Sequence, residues 1–248
     1  VTAPMTFTLV GHRGAMGLEP ENTLRSFRRA VALGADAVEL DLRVSRDGHL
    51  VILHDADVDR TTDGDGPVSE MSLAELRQLD AGLGERIPTF TEVLDEIELP
   101  IQAEIKSPKA GRLALDLIRE RELLGRITVT SFSPEIIADV LSYEPKTRTG
   151  LITSRADGDF LARALELGTS LVCVGLDNLD REFVDRCHRD GLEVIGWPVN
   201  DVGRLLHVLR AGADGITSDV PSLLADASSQ NAEVAELLEA RRARSEEH

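Results

Sequence analysis

Residues 37–55 read AVELDLRVSRDGHLVILHD, and two features of this stretch decide the fold. Up to Val44 the apolar residues alternate with period two. Val38, Leu40, Leu42 and Val44 fall on one side of an extended chain, and Glu39, Asp41 and Arg43 on the other. Asp47-Gly48 is then a two-residue hairpin signal, which predicts that Leu50–Leu53 folds back antiparallel on the preceding strand, with Arg46 opposite His49 and Asp41 opposite His54. Strand-like runs also occur at Phe7–Val10, Pro100–Ile105, Ile127–Phe132, Thr149–Thr153, Ser170–Gly175, Leu192–Trp197 and Gly215–Ser218. Counting Ala37–Val44 and the hairpin return, that makes nine. Setting the return aside leaves eight, the number a closed (β/α)8 TIM barrel needs, with a doubly wound open sheet as the competing arrangement.

Helical patterns separate most of these runs. Leu24, Phe27 and Val31 share a face before Gly34, and Ser72/Glu75 and Thr89/Glu92 have capping-box spacing. Ser133-Pro134 is an N-cap followed by proline at the first helical position. The turn-rich segment 55–88, with one short helix near Ser72–Leu79, is long for a βα connection and reads as an insertion over the barrel mouth. Residues 1–228 are expected to form a single domain, followed by a helical tail over 229–248.

The 248 residues carry 27 Lys+Arg against 44 Asp+Glu, a net charge of −17, which argues against nucleic acid or an anionic membrane as partner. Aromatic residues at 3% are too few for a base-stacking platform. No apolar run is long enough to span a bilayer. Cys173 and Cys187 fit no metal-ligand spacing and read as two buried thiols of a reducing compartment, so the expected location is cytoplasmic. Oligomeric state is open.

In a barrel the apolar side of a strand packs on the helices, so Glu39 and Asp41 project inward. Two carboxylates about 7 Å apart on one strand face repel unless a cation sits between them. The plainer reading is a half-exposed strand with its polar face in water. Gln102, Glu104 and Lys106 repeat the pattern on Ile101–Lys106, however, and a parallel barrel strand has no second solvated face. Three convergent acids, Glu39, Asp41 and Glu104, suit one hard divalent cation, Mg²⁺ or Ca²⁺. The hairpin register places His54 beside them as an acid/base candidate. The first strand ends in Gly11-His12-Arg13-Gly14, at the barrel end where active sites lie, and Arg13 offers a planar fork for phosphate oxygens. Asp59–Glu70 nearly matches a calcium-loop spacing but lacks the preceding helix. Gly11–Gly17 is not a nucleotide loop, and Ser131 lacks the glycines of a nucleophile elbow.

Read together, GHRG (11–14), PENT (20–23), Glu39-Leu40-Asp41, the Asp-Gly turn, HD (54–55), DRTTDG (59–64), RIPTF with EVL (86–94), EIKSP (104–108), SF (131–132), W-x-VN (197–200) and GADGITSDVP (212–221) occur in the order of a known family. From Leu9 to Leu224 the chain resembles the glycerophosphodiester phosphodiesterases. The resemblance implies a (β/α)8 barrel with a small insertion after the HD motif. It implies metal-dependent hydrolysis of small-molecule glycerophosphodiesters to sn-glycerol 3-phosphate and an alcohol. By the same resemblance the metal ligands are Glu39, Asp41 and Glu104, and the catalytic pair is His12 and His54. Arg13 and Lys106 take the phosphate-contact positions, and Trp197 that of the aromatic beside the glycerol. Glu21 and Asn22 lie in the entrance motif, either orienting the His12 loop, touching substrate or serving structure alone. Met16, Pro198 and Thr217-Ser218 depart mildly from the family pattern. A related barrel phospholipase, of D type or a cyclising lyase, and a non-catalytic phosphodiester-binding barrel are the alternatives.

Overall fold

The computed structural model describes residues 7–246. The outermost ends of the expected domain and tail, 1–6 and 247–248, lie outside the described residues. Nine strands occur in chain order: β1 (Thr8–Gly11), β2 (Ala37–Val44), β3 (Leu50–Ile52), β4 (Ile101–Ile105), β5 (Ile127–Ser131), β6 (Arg148–Arg155), β7 (Leu171–Asp177), β8 (Glu193–Trp197) and β9 (Gly215–Ser218). All but β3 are parallel, and the β1–β2 pairing closes them into an eight-stranded barrel. The helices are α1 (Leu24–Ala32), α2 (Leu73–Leu76), α3 (Phe90–Glu96), α4 (Pro108–Glu120), α5 (Pro134–Tyr143), α6 (Gly158–Leu167), α7 (Arg181–Arg189), α8 (Val202–Ala211), α9 (Leu223–Gln230) and α10 (Ala232–Glu246).

The alternation on β2 works as its pattern predicts. Val38, Leu40 and Leu42 are buried with Phe27 of α1, Phe90 of α3 and Leu115 of α4 outside the barrel, while Glu39 and Asp41 point to its axis. A fully buried aliphatic or phenylalanine side chain contributes roughly 1.5–3 kcal/mol relative to exposure, so this helix-facing layer holds the wall that carries the acids. On α1 the buried face is Ser26, Phe27 and Ala30, and Val31 is exposed. The expected Leu24–Phe27–Val31 face is therefore rotated toward the smaller residues, which let the helix approach the β1 loop closely. Val10, Ala37, Leu171, Cys173 and Ile195 fill the barrel axis as an apolar floor. Both capping boxes form, at Ser72/Glu75 and at Thr89/Glu92. The insertion packs Val58, Val68, Leu76 and Ile87 against Val51 of β3 in a small separate core. Val234 of α10 is fully buried in the cluster that also holds Leu205 and Val208 of α8.

The hairpin departs from expectation by one residue. Leu42, Arg43 and Val44 pair with Ile52, Val51 and Leu50, and the Ser45 amide donates to the His49 carbonyl at 2.9 Å. The loop is thus three residues, 46–48, and Asp41 stands opposite Leu53, not His54, with the Leu53 amide donating to the Asp41 carbonyl at 3.0 Å. A two-residue loop of the Asn-Gly type needs positive φ at both central residues. Here only Gly48 is left-handed, at φ +90°. Asp47 is held otherwise, because its Oδ1 accepts from Ser45 Oγ at 2.7 Å and from the Leu73 amide of the insertion at 2.9 Å.

His54 still reaches the mouth, by a different route. β4 occupies one edge of β2 through Leu42, and β1 occupies the other only at Ala37 and Val38. β3 must therefore sit on the β1 edge, above the point where β1 ends, and its antiparallel course leads the chain down toward His12. Arg43 then pins the turn, donating through Nε and Nη2 to the His54 carbonyl at 2.9 and 2.6 Å.

Candidate active site

His12, Arg13, His54 and Lys106 follow strands and Glu104 and Trp197 lie at strand ends, while Glu39 and Asp41 lie part-way along β2. In the barrel register Asp41 lies beside Glu104 and Glu39 beside Gln102, so the wall itself brings the acids together. Glu39, Asp41 and Glu104 are all buried and each offers an oxygen within 4.8 Å of the others. Among the described residues no other group of this kind occurs. The carboxylates of Asp59 and Asp63, from the calcium-loop-like stretch, accept backbone amides of Gly66 and Asp80 instead.

Burial and the neighbouring Asp41 push the Glu39 carboxyl up to about 8. Burial and Asp41 likewise raise Glu104. Asp41 is buried too, yet Lys106 and Arg13 hold it below the ordinary carboxylate value. Lys106 Nζ lies 2.9 Å from Asp41 Oδ1 and donates to Glu104 Oε1 at 2.5 Å. Arg13 Nε stands 3.3 Å from Asp41 Oδ2, and Asn22 Nδ2 donates to that oxygen at 2.8 Å. Glu39 Oε2 accepts the Arg13 amide at 2.9 Å. Three buried hard oxygens, one of them on an acid that forms no salt bridge among the described residues, form a donor set that fits a Mg²⁺- or Ca²⁺-type ion.

The β1 loop that carries His12 and Arg13 is tightly built. A Cβ at Gly11 would meet the Gly14 carbonyl oxygen at 2.5 Å, and one at Gly14, itself at φ +85°, would meet the Ser26 backbone at 2.5 Å. Arg13 is left-handed at φ +48°. It is held there because its carbonyl accepts from Ser26 Oγ at 2.9 Å and from the Asn22 amide at 3.0 Å. Such a conformation in a non-glycine residue is kept only where its surroundings enforce it.

Both imidazoles are fixed through Nδ1. His12 Nδ1 lies 2.6 Å from Asp219 Oδ1, and His54 Nδ1 lies 2.6 Å from Asp55 Oδ1. Asn200 seats Asp219 from two sides, donating to its Oδ2 at 2.6 Å and accepting from its amide at 2.8 Å. With Nδ1 engaged, Nε2 is the nitrogen each ring has left for a ligand. Burial pulls His12 down, but the Asp219 bond and the nearby Glu39 outweigh it and the ring is raised. Burial lowers His54, and although Asp41 and Asp55 oppose this, the ring remains lowered.

His12, Arg13, Glu39, His54 and Glu104 line one cavity of about 90 Å³. Its opposite wall is apolar, made of Phe132, Ile152 and Trp197, with the Phe132 and Trp197 rings edge-on at 5.6 Å and 84°. Buried Trp197 Nε1 has no hydrogen-bond partner among the described residues. The structure thus gathers all of His12, Arg13, Glu39, Asp41, His54, Glu104, Lys106 and Trp197 at one mouth. Sequence reasoning missed Asp219 and Asp55 as partners of the histidines, and Asn200 as the residue that seats Asp219. Only Asp55, adjacent to His54, carried a local signal.

The model of the glycerophosphoryl diester phosphodiesterase family matches residues 12–223. The chain belongs to that family. Membership makes it a phosphoric diester hydrolase acting on glycerophosphodiesters. A glycerophosphodiester phosphodiesterase of Caldanaerobacter subterraneus is 34% identical over 235 residues, 89% of this chain and 97% of the relative. One of Bacillus subtilis is 31% identical, over 89% of this chain and 86% of the relative. Among solved structures, a phosphodiesterase of Oleispira antarctica in complex with the product sn-glycerol-3-phosphate superposes with a TM-score of 0.84 at 28% identity, covering 90% of this chain and 96% of that one. Among the described residues of this family member, no helix is long and apolar enough to cross a membrane.

Proposed function

We propose that this site hydrolyses glycerophosphodiesters to sn-glycerol 3-phosphate and an alcohol, with His12 and His54 as proton carriers and Glu39, Asp41 and Glu104 holding one divalent cation, Mg²⁺ or Ca²⁺. The observation that carries the reading is the pair of carboxylate-clamped imidazoles lining the same small cavity as the acids. A non-catalytic binder has no use for two such rings. The product bound to the Oleispira relative supports the same substrate class.

When bound, the cation supplies positive charge where the non-bridging phosphate oxygens become more negative. Arg13 and Lys106 bring two further cations to the same place in a chain whose net charge is −17. One imidazole takes the proton of the nucleophile and the other gives one to the leaving alcohol, each transfer worth typically about 10²–10⁴-fold. The opposite displacement of the two rings supports His54 as acceptor and His12 as donor. Trp197, Phe132 and Ile152 offer an apolar face to the glycerol carbons. Two free, buried thiols support a cytoplasmic location.

A coupled assay for sn-glycerol 3-phosphate released from glycerophosphocholine tests this directly. EDTA is expected to abolish turnover and added Mg²⁺ or Ca²⁺ to restore it, and chelator-resistant turnover refutes the metal assignment. Phe132, 47% exposed beside Trp197, favours including lysophospholipids in the same assay. Phosphorus NMR of the product then separates hydrolysis from cyclisation.

A further inference from the structure

The DRTTDG stretch, 59–64, has no part in the chemistry above, yet Arg60 extends from it to the barrel mouth. Its Nε donates to Asp55 Oδ2 at 2.5 Å. Its Nη1 and Nη2 grip the two oxygens of Glu21 at 2.7 and 2.8 Å. Each of these carboxylates has a second task. Asp55 Oδ1 faces His54 Nδ1 at 2.6 Å, and Glu21 Oε1 also accepts from Arg13 Nη1 at 2.9 Å. One guanidinium from the insertion therefore stands between the orienting partner of a histidine and the orienting partner of the phosphate-contact arginine.

We infer that Arg60 is a positioning residue for hydrolysis: by bridging Asp55 and Glu21 it holds the His54 ring with Nδ1 engaged and Nε2 free, and holds Arg13 against the acids. The inference rests on the roles proposed above for His54 and Arg13. Its physical basis is that the proton's place on an imidazole is set by the bond at Nδ1. Asp55 makes that bond from a loop and is 34% exposed, so its orientation needs a second anchor. An exposed ion pair with a single partner contributes little. Here the planar fork binds two carboxylates in fixed directions, a geometry that a point charge such as lysine cannot reproduce. Without Arg60 the two carboxylates lose the cation they share, and Asp55 and Glu21 are each left with one side-chain partner, His54 and Arg13, to fix their orientation.

The test measures kcat and KM for glycerophosphocholine in Arg60→Ala, Arg60→Lys, His54→Ala and the Arg60→Ala/His54→Ala double variant. Arg60→Gln repeats it if alanine lowers Tm. Arg60→Ala is expected to lose roughly 10–100-fold in kcat with an unchanged Tm, as for a misplaced catalytic group. Arg60→Lys should recover only part of the loss. In the His54→Ala background, removing Arg60 should cost clearly less in kcat than in the native enzyme, leaving only the part that acts through Glu21 and Arg13. Imidazole ¹⁵N shifts should show His54 as the Nδ1–H form in the native enzyme and as a tautomer mixture in Arg60→Ala. Near-native kcat in Arg60→Ala, an equal loss in both backgrounds, or an unmoved ¹⁵N signature would each overturn the inference while leaving the histidine assignment standing. Near-native turnover in His54→Ala removes that assignment and this inference with it.

Discussion

Replacing Asp219 with asparagine removes one charge from beneath His12 and leaves its shape. Asn200 anchors position 219 through both the side chain and the amide, so an asparagine can occupy the same place. The bond lost is the 2.6 Å contact with His12 Nδ1. A hydrogen bond to a charged partner contributes about 1.5–3 kcal/mol. At about 1.36 kcal/mol per tenfold in rate, kcat should fall roughly 10- to 150-fold if the imidazolium is the proton donor. The pH profile should move as well, in a direction that can be worked out. Burial lowers the native ring and Asp219 is the main influence raising it above its ordinary value, with Glu39 adding to it. Taking Asp219 away leaves burial less opposed, so the His12 pKa drops. A donor must be protonated, so the alkaline limb of the kcat profile shifts to lower pH. Release of sn-glycerol 3-phosphate from glycerophosphocholine, followed between pH 5 and 9, reads both effects. An Asp219→Asn enzyme with native kcat and an unmoved alkaline limb would refute the donor role of His12.

Glu39→Gln should weaken binding of Mg²⁺ or Ca²⁺ at least about tenfold by removing one charged oxygen from the trio. Trp197, the single tryptophan, lines the same cavity, so its fluorescence follows the titration. Away from the site, His188 Nε2 lies 2.9 Å from Asp214 Oδ2, and that bond raises the His188 pKa. The resulting stability is present below the unfolded value of about 6.5 and is lost as pH rises through the raised folded value. His188→Ala should therefore cost a few tenths to about 1 kcal/mol at pH 6, given its partial exposure, and less at pH 8, by urea denaturation. Gly175→Ala places a Cβ 2.1 Å from the Ser154 carbonyl oxygen. The β6–β7 register is already irregular between Thr153 and Arg155, so urea unfolding should show a loss of about 1–3 kcal/mol from the forced strand shift.

The barrel and its acidic wall were legible because both follow from periodicity. Period-two alternation on residues 37–44 and 101–106 dictates which side chains face the axis, and parallel pairing of adjacent strands does the rest. The hairpin was legible only to within a residue. Dihedral choice at Asp47 depends on an amide of Leu73, 26 positions away, which no local turn rule contains. His54 is displaced from its expected position opposite Asp41 yet still lines the cavity, because the edge of β2 left free above β1 constrains the returning chain whatever its exact register. The His12–Asp219 contact spans 207 positions and has no periodic signature. Asn200 and Asp219 sit in motifs whose spacing is meaningless until the barrel closes. Val31 shows the opposite failure, since helical spacing marked it apolar while the smaller Ala30 was what close packing required.

The apolar floor of Val10, Ala37, Leu171, Cys173 and Ile195 fills the barrel axis beneath the cavity, so a ligand is approached from the loop side that carries His12 and His54. A diester cleaved above this floor as proposed leaves as two fragments past the same mouth residues that admitted it.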